Sequence, residues 1–186
     1  ACKQKIYDFN QLPPSRQSKE APQMIKNIFG KTGENVWVEA PFHCDYGWNI
    51  EVGENFYSNY NLTILDVGKV TCGKNVQIAP NVSIYTAGHP VHPDSRNSGY
   101  EYGIPVTVGD NVWIGGNTVI LPGVTVGSNV VIGAGSVVSK DIPDNTIAAG
   151  NPCKVIREIT DEDRIYYFKK QKFDDEAWEE VKNKNK

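Results

Sequence analysis

A mainly β fold, a parallel β-helix, is predicted by three features of this 186-residue sequence. A tetrapeptide recurs, a six-residue beat runs between its copies, and one proline-rich segment breaks that beat. The tetrapeptide reads GENV at 33–36, GENF at 53–56, GKNV at 73–76, GDNV at 109–112 and GSNV at 127–130. Its starts lie 20, 20, 36 and 18 residues apart, so a period near 18 is visible and 36 reads as two periods.

The finer beat is clearest from Val108, where the chain runs VGDNVW IGGNTV ILPGVT VGSNVV IGAGSV VSKDIP. An aliphatic residue opens each hexad (Val108, Ile114, Ile120, Val126, Ile132, Val138). A small or β-branched residue fills the fifth place (Val112, Thr118, Val124, Val130, Ser136). The same beat runs earlier from Cys72, Ile78 and Ile84. Six is neither the helical period nor simple alternation, so it implies a short strand, a turn and another strand. Glycine and asparagine supply the turns because they tolerate positive φ. Three strands then close one triangular coil, with the first and fifth places pointing inward. Each coil buries its apolar side only against its neighbours. Sandwich strands would be spaced more widely and alternate more cleanly.

Residues 1–31 lie outside the repeat. Met24, Ile25, Ile28 and Phe29 are spaced as one face of a short helix that Gly30 ends, an end cover for the first coil. The repeat occupies 32–157. It is interrupted at 90–105, PVHPDSRNSGYEYGIP, where three prolines and two glycines predict a loop without regular structure. So long an excursion from a compact repeat is expected to be functional, and Tyr100 and Tyr102 give it a means to dock. Residues 158–186 form a charged and aromatic extension, with a last short helix over Asp174–Val181 anchored by Trp178 and a solvated KNKNK tail.

Composition narrows the function. A net charge of −3 offers no basic field for nucleic acid or anionic membrane. No run approaches the ~20 apolar residues of a membrane span. The chain opens on Ala1 without a signal-like apolar stretch. Cys2, Cys44, Cys72 and Cys153 are far apart in sequence and form no CxxC pair, which suits unpaired thiols in a reducing cytoplasm.

Three segments carry a resemblance: FHCDYGWNIEVGENFYSNYNLTILD, IYTAGHPVHPDSRNSGYEYGIPVTVGDNVWIGG and VIGAGSVVSKDIPDNTIAAGNPCKVIREI. Together they resemble the maltose and galactoside O-acetyltransferases, hexapeptide-repeat enzymes, over roughly residues 5–170. The resemblance implies a left-handed β-helix, a homotrimer, acetyl-coenzyme A as donor and a sugar hydroxyl as acceptor. It implies direct transfer without an acyl-enzyme. It assigns His89, within TAGHPVH, as the general base, a role suited to imidazole. His92 and His43 match no role. Asn59 matches a residue that contacts both donor and acceptor. Asp45 and Tyr57 fall on the acceptor side, with Asp66 a weaker acceptor contact. The galactoside pattern has two consecutive acids where this chain has Asp66 and Val67, and its N-terminal acceptor-binding acid finds no match in this sequence. On the donor side, Gly116 would offer its backbone N–H near the thioester and Trp113 would wall the pantetheine channel. Ala134, Ser139 and Lys140 would line the coenzyme path, and Lys154 and Arg157 would meet the nucleotide phosphates. The family often has threonine for Ser139 and arginine for Lys154.

Other readings place a different chemistry on the same fold. A zinc lyase of the gamma carbonic anhydrase kind would need all three histidines as ligands, although no metal is expected here. A non-sugar acceptor such as an antibiotic would keep the chemistry and change the pocket. A bare scaffold would need neither the loop nor the NPCKVIREI segment. The phase of the repeat adds one expectation about assembly. Number the faces opened by Val108, Ile114 and Ile120 as first, second and third. His89 then closes a third-face hexad, at the third–first corner. Trp113 and Asn59 fall at the first–second corner. Corners lie roughly 15–20 Å apart at ~3.3 Å per strand residue, so the site is expected to be shared between subunits.

Overall fold

The computed structural model describes residues 2–184. Three parallel sheets form the sides of a prism. The first face stacks Ile50–Val52, Val70–Cys72, Val106–Val108 and Thr125–Val126. The second stacks Val36–Val38, Phe56–Ser58, Gln77–Ile78, Trp113–Ile114, Val131–Ile132 and Thr146–Ala149, and Lys154–Glu158 adds to it antiparallel. The third stacks Phe42–Cys44, Leu62–Leu65, Ser83–Tyr85, Val119–Ile120 and Val137–Val138.

The inward places are those the beat predicts. Val108, Ile114, Ile120, Val126, Ile132 and Val138 are buried, as are the fifth-place residues Val112, Thr118, Val124, Val130 and Ser136. The two polar members are satisfied locally: Thr118 Oγ1 donates to the Gly115 carbonyl at 2.7 Å and Ser136 Oγ to that of Gly133 at 2.5 Å.

The corners depend on asparagine. Asn55, Asn75, Asn111 and Asn129 all hold φ near +56°, in the left-handed region. Their side chains form a ladder up the prism edge from Asn35 to Asn145, each amide donating to the next carbonyl at 2.8–3.3 Å. The rung from Asn75 to Asn111 spans 36 residues at 2.8 Å. That interval is therefore one coil, not two periods. Val70–Cys72 pairs directly with Val106–Val108, and the excursion at 90–105 supplies the extra length.

The N-terminal cover consists of two helices rather than one, α1 (Cys2–Asn10) and α2 (Pro14–Ile28), which bury Ile6, Phe9, Ala21, Ile25 and Ile28 against the first coil. Pro13 caps α2 and Pro14 opens it, marking a helix break that the apolar spacing around Met24 does not reveal. Asn10 pins α1 to the prism, its Nδ2 donating to the Phe42 carbonyl and its Oδ1 accepting from the Phe42 N–H, both at 2.9 Å. The packing also brings two distant thiols together, Cys2 Sγ and Cys44 Sγ, at 3.9 Å. Neither is in a disulfide, and burial holds the Cys44 thiol far above its usual range, with Cys2 and Asp66 adding to the effect.

The excursion is more ordered than its prolines and glycines suggest. It contains the short helix α3 (Pro93–Asn97), and Tyr102–Gly103 returns antiparallel to Ala87–Gly88. In the extension, α4 (Asp175–Lys184) runs three residues past Val181. Trp178 stacks on Phe173 at 6.1 Å, the anchoring expected of it. Of the KNKNK tail, residues 185 and 186 lie outside the described residues.

The ladder separates two contributions at each corner. Asn111→Gly keeps the positive φ and loses only the amide rungs, which should cost about 1 kcal/mol. Asn111→Ala also loses asparagine's tolerance of the left-handed region, adding about 1–2 kcal/mol. Denaturant midpoints of the two variants should fall in that order.

Candidate active site

The excursion leaves the prism at the third–first corner, and two close approaches hold it there. A Cβ on Gly88 would lie 2.4 Å from the Tyr102 ring. A Cβ on Gly103 would lie 2.6 Å from the Gly68 nitrogen. The Ile104 N–H donates to the Thr86 carbonyl at 2.8 Å. This returning strand fixes what faces His89. Its Nδ1 lies 3.1 Å from the Tyr100 carbonyl. A carbonyl only accepts, so Nδ1 carries the proton and neutral His89 presents the lone pair of Nε2. The Glu101 carboxylate stands 3.9 Å from that Nε2, with both side chains about half exposed.

Two more carboxylates reach this corner from lower coils. Asp66 is fully buried. Its Oδ1 accepts from the N–H groups of Asp45 and Tyr46 at 2.9 Å each, and its Oδ2 from that of Gly47 at 2.7 Å. A carboxylate so occupied holds the turn over Asp45, Tyr46 and Gly47. Asp45, carried on that turn, is half-buried. Burial raises its carboxyl above the usual range, and Asp66 and then Glu101 raise it further. His89, Glu101 and Asp45 thus share one acidic corner. Glu101 escapes detection from the sequence, as an acid between two tyrosines in an excursion whose fold gives no periodic signal.

His92 serves the fold. Its Nδ1 accepts from the Asp94 N–H at 3.2 Å and caps α3. His43 points outward from the third face. Among the described residues, no three metal-ligating side chains converge.

The remaining expected residues sit elsewhere. Tyr57 and Trp113 lie in one register column of the second face, Tyr57 beside Gln77 and Gln77 beside Trp113. Trp113 is 54% exposed. Asn59 follows Phe56–Ser58 and so begins the second–third corner, not the first–second one. The strands of this face straddle the boundary between hexads, which puts Trp113 within a strand and Asn59 at its far end. Gly116 and Ala134 occupy the same second–third corner on successive coils, Gly135 N–H donating to the Gly116 carbonyl at 2.8 Å. Gly115 and Asn117 donate to other backbone carbonyls, whereas the N–H groups of Gly116 and Ala134 have no partner among the described residues. Ser139 and Lys140 are exposed at the third–first corner of a higher coil.

Lys154 is exposed on the antiparallel strand. Arg157 is already engaged. Its two terminal nitrogens meet the two Asp163 oxygens at 2.7 Å each, and this pairing pulls the Asp163 carboxyl down to about 2.

Known proteins agree with this architecture. Residues 105–140 match the family described as bacterial transferase hexapeptide (six repeats). The galactoside O-acetyltransferase of Escherichia coli K12 is 55% identical over 167 residues, 90% of this chain and 82% of that protein. The chain belongs to the galactoside and maltose O-acetyltransferase family, and it is an acyltransferase. A putative acetyltransferase of Saccharomyces cerevisiae, YJL218W, is 56% identical over 86% of this chain and 81% of its own length. Among solved structures, a galactoside acetyltransferase in complex with coenzyme A superposes with a TM-score of 0.90 at 54% identity, covering 93% of this chain and 86% of that one. A maltose O-acetyltransferase from Clostridium difficile 630 superposes with a TM-score of 0.84, also at 54% identity, over 86% and 85%. The two branches of the family are thus equally close by identity.

Removing the buried carboxylate tests the corner. Asp66→Ala leaves three backbone N–H groups without their acceptor and should lower stability by about 3 kcal/mol or more, read by denaturant unfolding. Asp66→Asn keeps part of the acceptor set and should lose less.

Proposed function

We propose that this protein transfers the acetyl group of acetyl-coenzyme A directly to a sugar hydroxyl, with His89 Nε2 as the general base. The observation that carries this reading is the bond between His89 Nδ1 and the Tyr100 carbonyl, which leaves Nε2 as the acceptor. The acceptor hydroxyl gives its proton to Nε2 as its oxygen attacks the thioester carbon. The tetrahedral oxyanion then expels the coenzyme A thiolate, which takes the proton back from the imidazolium. Glu101 stands where it steadies that imidazolium. The partnerless Gly116 N–H is the oxyanion donor. Burial pushes Cys72 up to about 12 and raises Cys44 and Cys153, so none of these three thiols is primed as a rival nucleophile.

On the acceptor side, Asp45 and Tyr57 contact the sugar, Asn59 contacts sugar and donor, and Asp66 acts by holding the Asp45 turn. On the donor side, Trp113, Ala134, Ser139 and Lys140 border the coenzyme. Lys154 meets the nucleotide phosphates, and Arg157 reaches them on releasing Asp163. No helix is long and apolar enough to cross a membrane. Acetyl-coenzyme A as donor places the enzyme in the cytoplasm.

Geometry supports a shared site. His89 lies at the third–first corner and Asn59 and Gly116 at the second–third, one prism side apart, roughly 15–20 Å at ~3.3 Å per residue. Two copies packed side by side bring these corners together, and cyclic symmetry then makes three sites per homotrimer.

Two experiments test the reading. An acceptor panel of glucosides, galactosides and aminoglycosides should give acetyl transfer to sugar hydroxyls, and His89→Ala should lose about 10²–10⁴-fold in kcat. Glu101→Gln should lower kcat less, with KM for acetyl-coenzyme A unchanged. Near-normal turnover by His89→Ala would overturn the mechanism. The shared site is tested by mixing. His89→Ala and Asn59→Ala subunits, each inactive alone, should regain roughly a quarter of the sites when refolded together. No recovery would place both residues of a site in one subunit.

A further inference from the structure

The turn that carries Asp45 also carries two aromatic side chains with no structural use for their outer faces. Tyr46 is 42% exposed and Trp48 63% exposed, and their rings lie 5.0 Å apart at an interplanar angle of 33°. The backbone beneath them is held from both sides. Asp66 takes the N–H groups of Asp45, Tyr46 and Gly47. Asn49 Nδ2 donates to the Asp66 carbonyl at 2.7 Å. Gly47 has φ +79°, and a Cβ there would lie 2.5 Å from the Ile28 carbonyl oxygen at the end of α2. The Gly30 N–H donates to the Gly47 carbonyl at 3.1 Å. Two large exposed rings on an immobilised turn, rimmed by a carboxylate, have the makings of a stacking surface for a ligand with both an apolar face and hydroxyls.

Position identifies the ligand. The turn leaves the strand Phe42–Cys44, two strands along the third face from Ser83–Tyr85, whose continuation carries His89. Two strand spacings are about 10 Å, the length of two linked pyranose rings. With the reacting hydroxyl at His89 and the first ring beside Glu101 and Asp45, the second ring reaches Tyr46 and Trp48.

We infer that Tyr46 and Trp48 form a stacking subsite for a second pyranose ring, one unit removed from the ring that is acetylated, so that the enzyme prefers disaccharide over monosaccharide acceptors. The inference rests on the sugar O-acetylation proposed above. Its test is steady-state kinetics of the full-length protein on two acceptor pairs, maltose against glucose and lactose against galactose. Trp48→Ala should raise KM for the disaccharide about tenfold, a loss within the range of one aromatic contact. Its kcat, and its KM for the monosaccharide, should stay at the wild-type values, and Trp48→Phe should restore most of the loss. Equal KM values for wild type and Trp48→Ala on both disaccharides overturn the subsite. So does a parallel rise for mono- and disaccharide, or a fall in assembly mass by light scattering, which assigns Trp48 to subunit packing. Absence of sugar acetylation by the wild type overturns the underlying reading instead, and the subsite with it.

Discussion

Every coil of this protein must turn three times in eighteen or so residues, and at two of its three corners the chain turns on asparagines at positive φ. The asparagines at φ near +56° meet this constraint along one prism edge, and each also donates its amide to the asparagine one coil further on. Glycine would satisfy the backbone equally well and form no rung. The same residue type therefore closes each coil and registers it on its neighbour. Once register is set, the first and fifth residues of every hexad face inward, and the core of stacked Val and Ile follows. A slip of one residue would turn that set outward.

The candidate active corner departs from this pattern. At the third–first corner the coils are closed by other means: a buried Asp66 that gathers three N–H groups, Gly68 and Gly103 packed backbone to backbone, and the excursion itself. A ladder of identical amides would leave no room for a base. The repeat keeps two corners and two ends of each strand fixed, and the third corner is free to carry an insertion without disturbing the sheets. Val70–Cys72 pairs with Val106–Val108 as though nothing lay between them. Rigid sheets on each side make the corner a stable mount for His89, whose tautomer is set by a carbonyl on the returning strand.

The periodic part of the structure is legible in the sequence because periodicity is a local property. Val108 through Val138 declare their inward places in steps of six, and each is buried. The same arithmetic fails between residues 73 and 109, where an insertion of nearly one period imitates an extra coil. Contacts between segments without a shared period are not legible. Nothing in the spacing brings Cys2 to Cys44, separates α1 from α2, or sets Glu101 opposite His89. The chemistry of Asp66 suggests an acid near an acceptor site, whereas its burial makes it a support for the neighbouring turn. Resemblance singles out His89, and its phase alone does not. The structure adds the bond at Nδ1 that leaves the Nε2 lone pair available.

Two catalytic demands pull in different directions on such a prism. A base needs a corner from which the chain can depart, because only an excursion can bring a carbonyl and a carboxylate around an imidazole. On the proposed reading, donor binding needs a corner that never departs, because a long coenzyme would lie along successive turns such as those of Gly116 and Ala134, whose N–H groups have no partner among the described residues. One coil cannot be both interrupted and uninterrupted at the same corner. His89 and the N–H groups of Gly116 and Ala134 therefore fall on different edges, and the distance between edges is set by strand length, which the six-residue period does not allow to shrink. Bringing them together by bending would break the register that the asparagine ladder and the core enforce. Packing one prism against another brings the edges together without strain. On this fold, the proposed assembly would complete a site whose parts the repeat keeps apart.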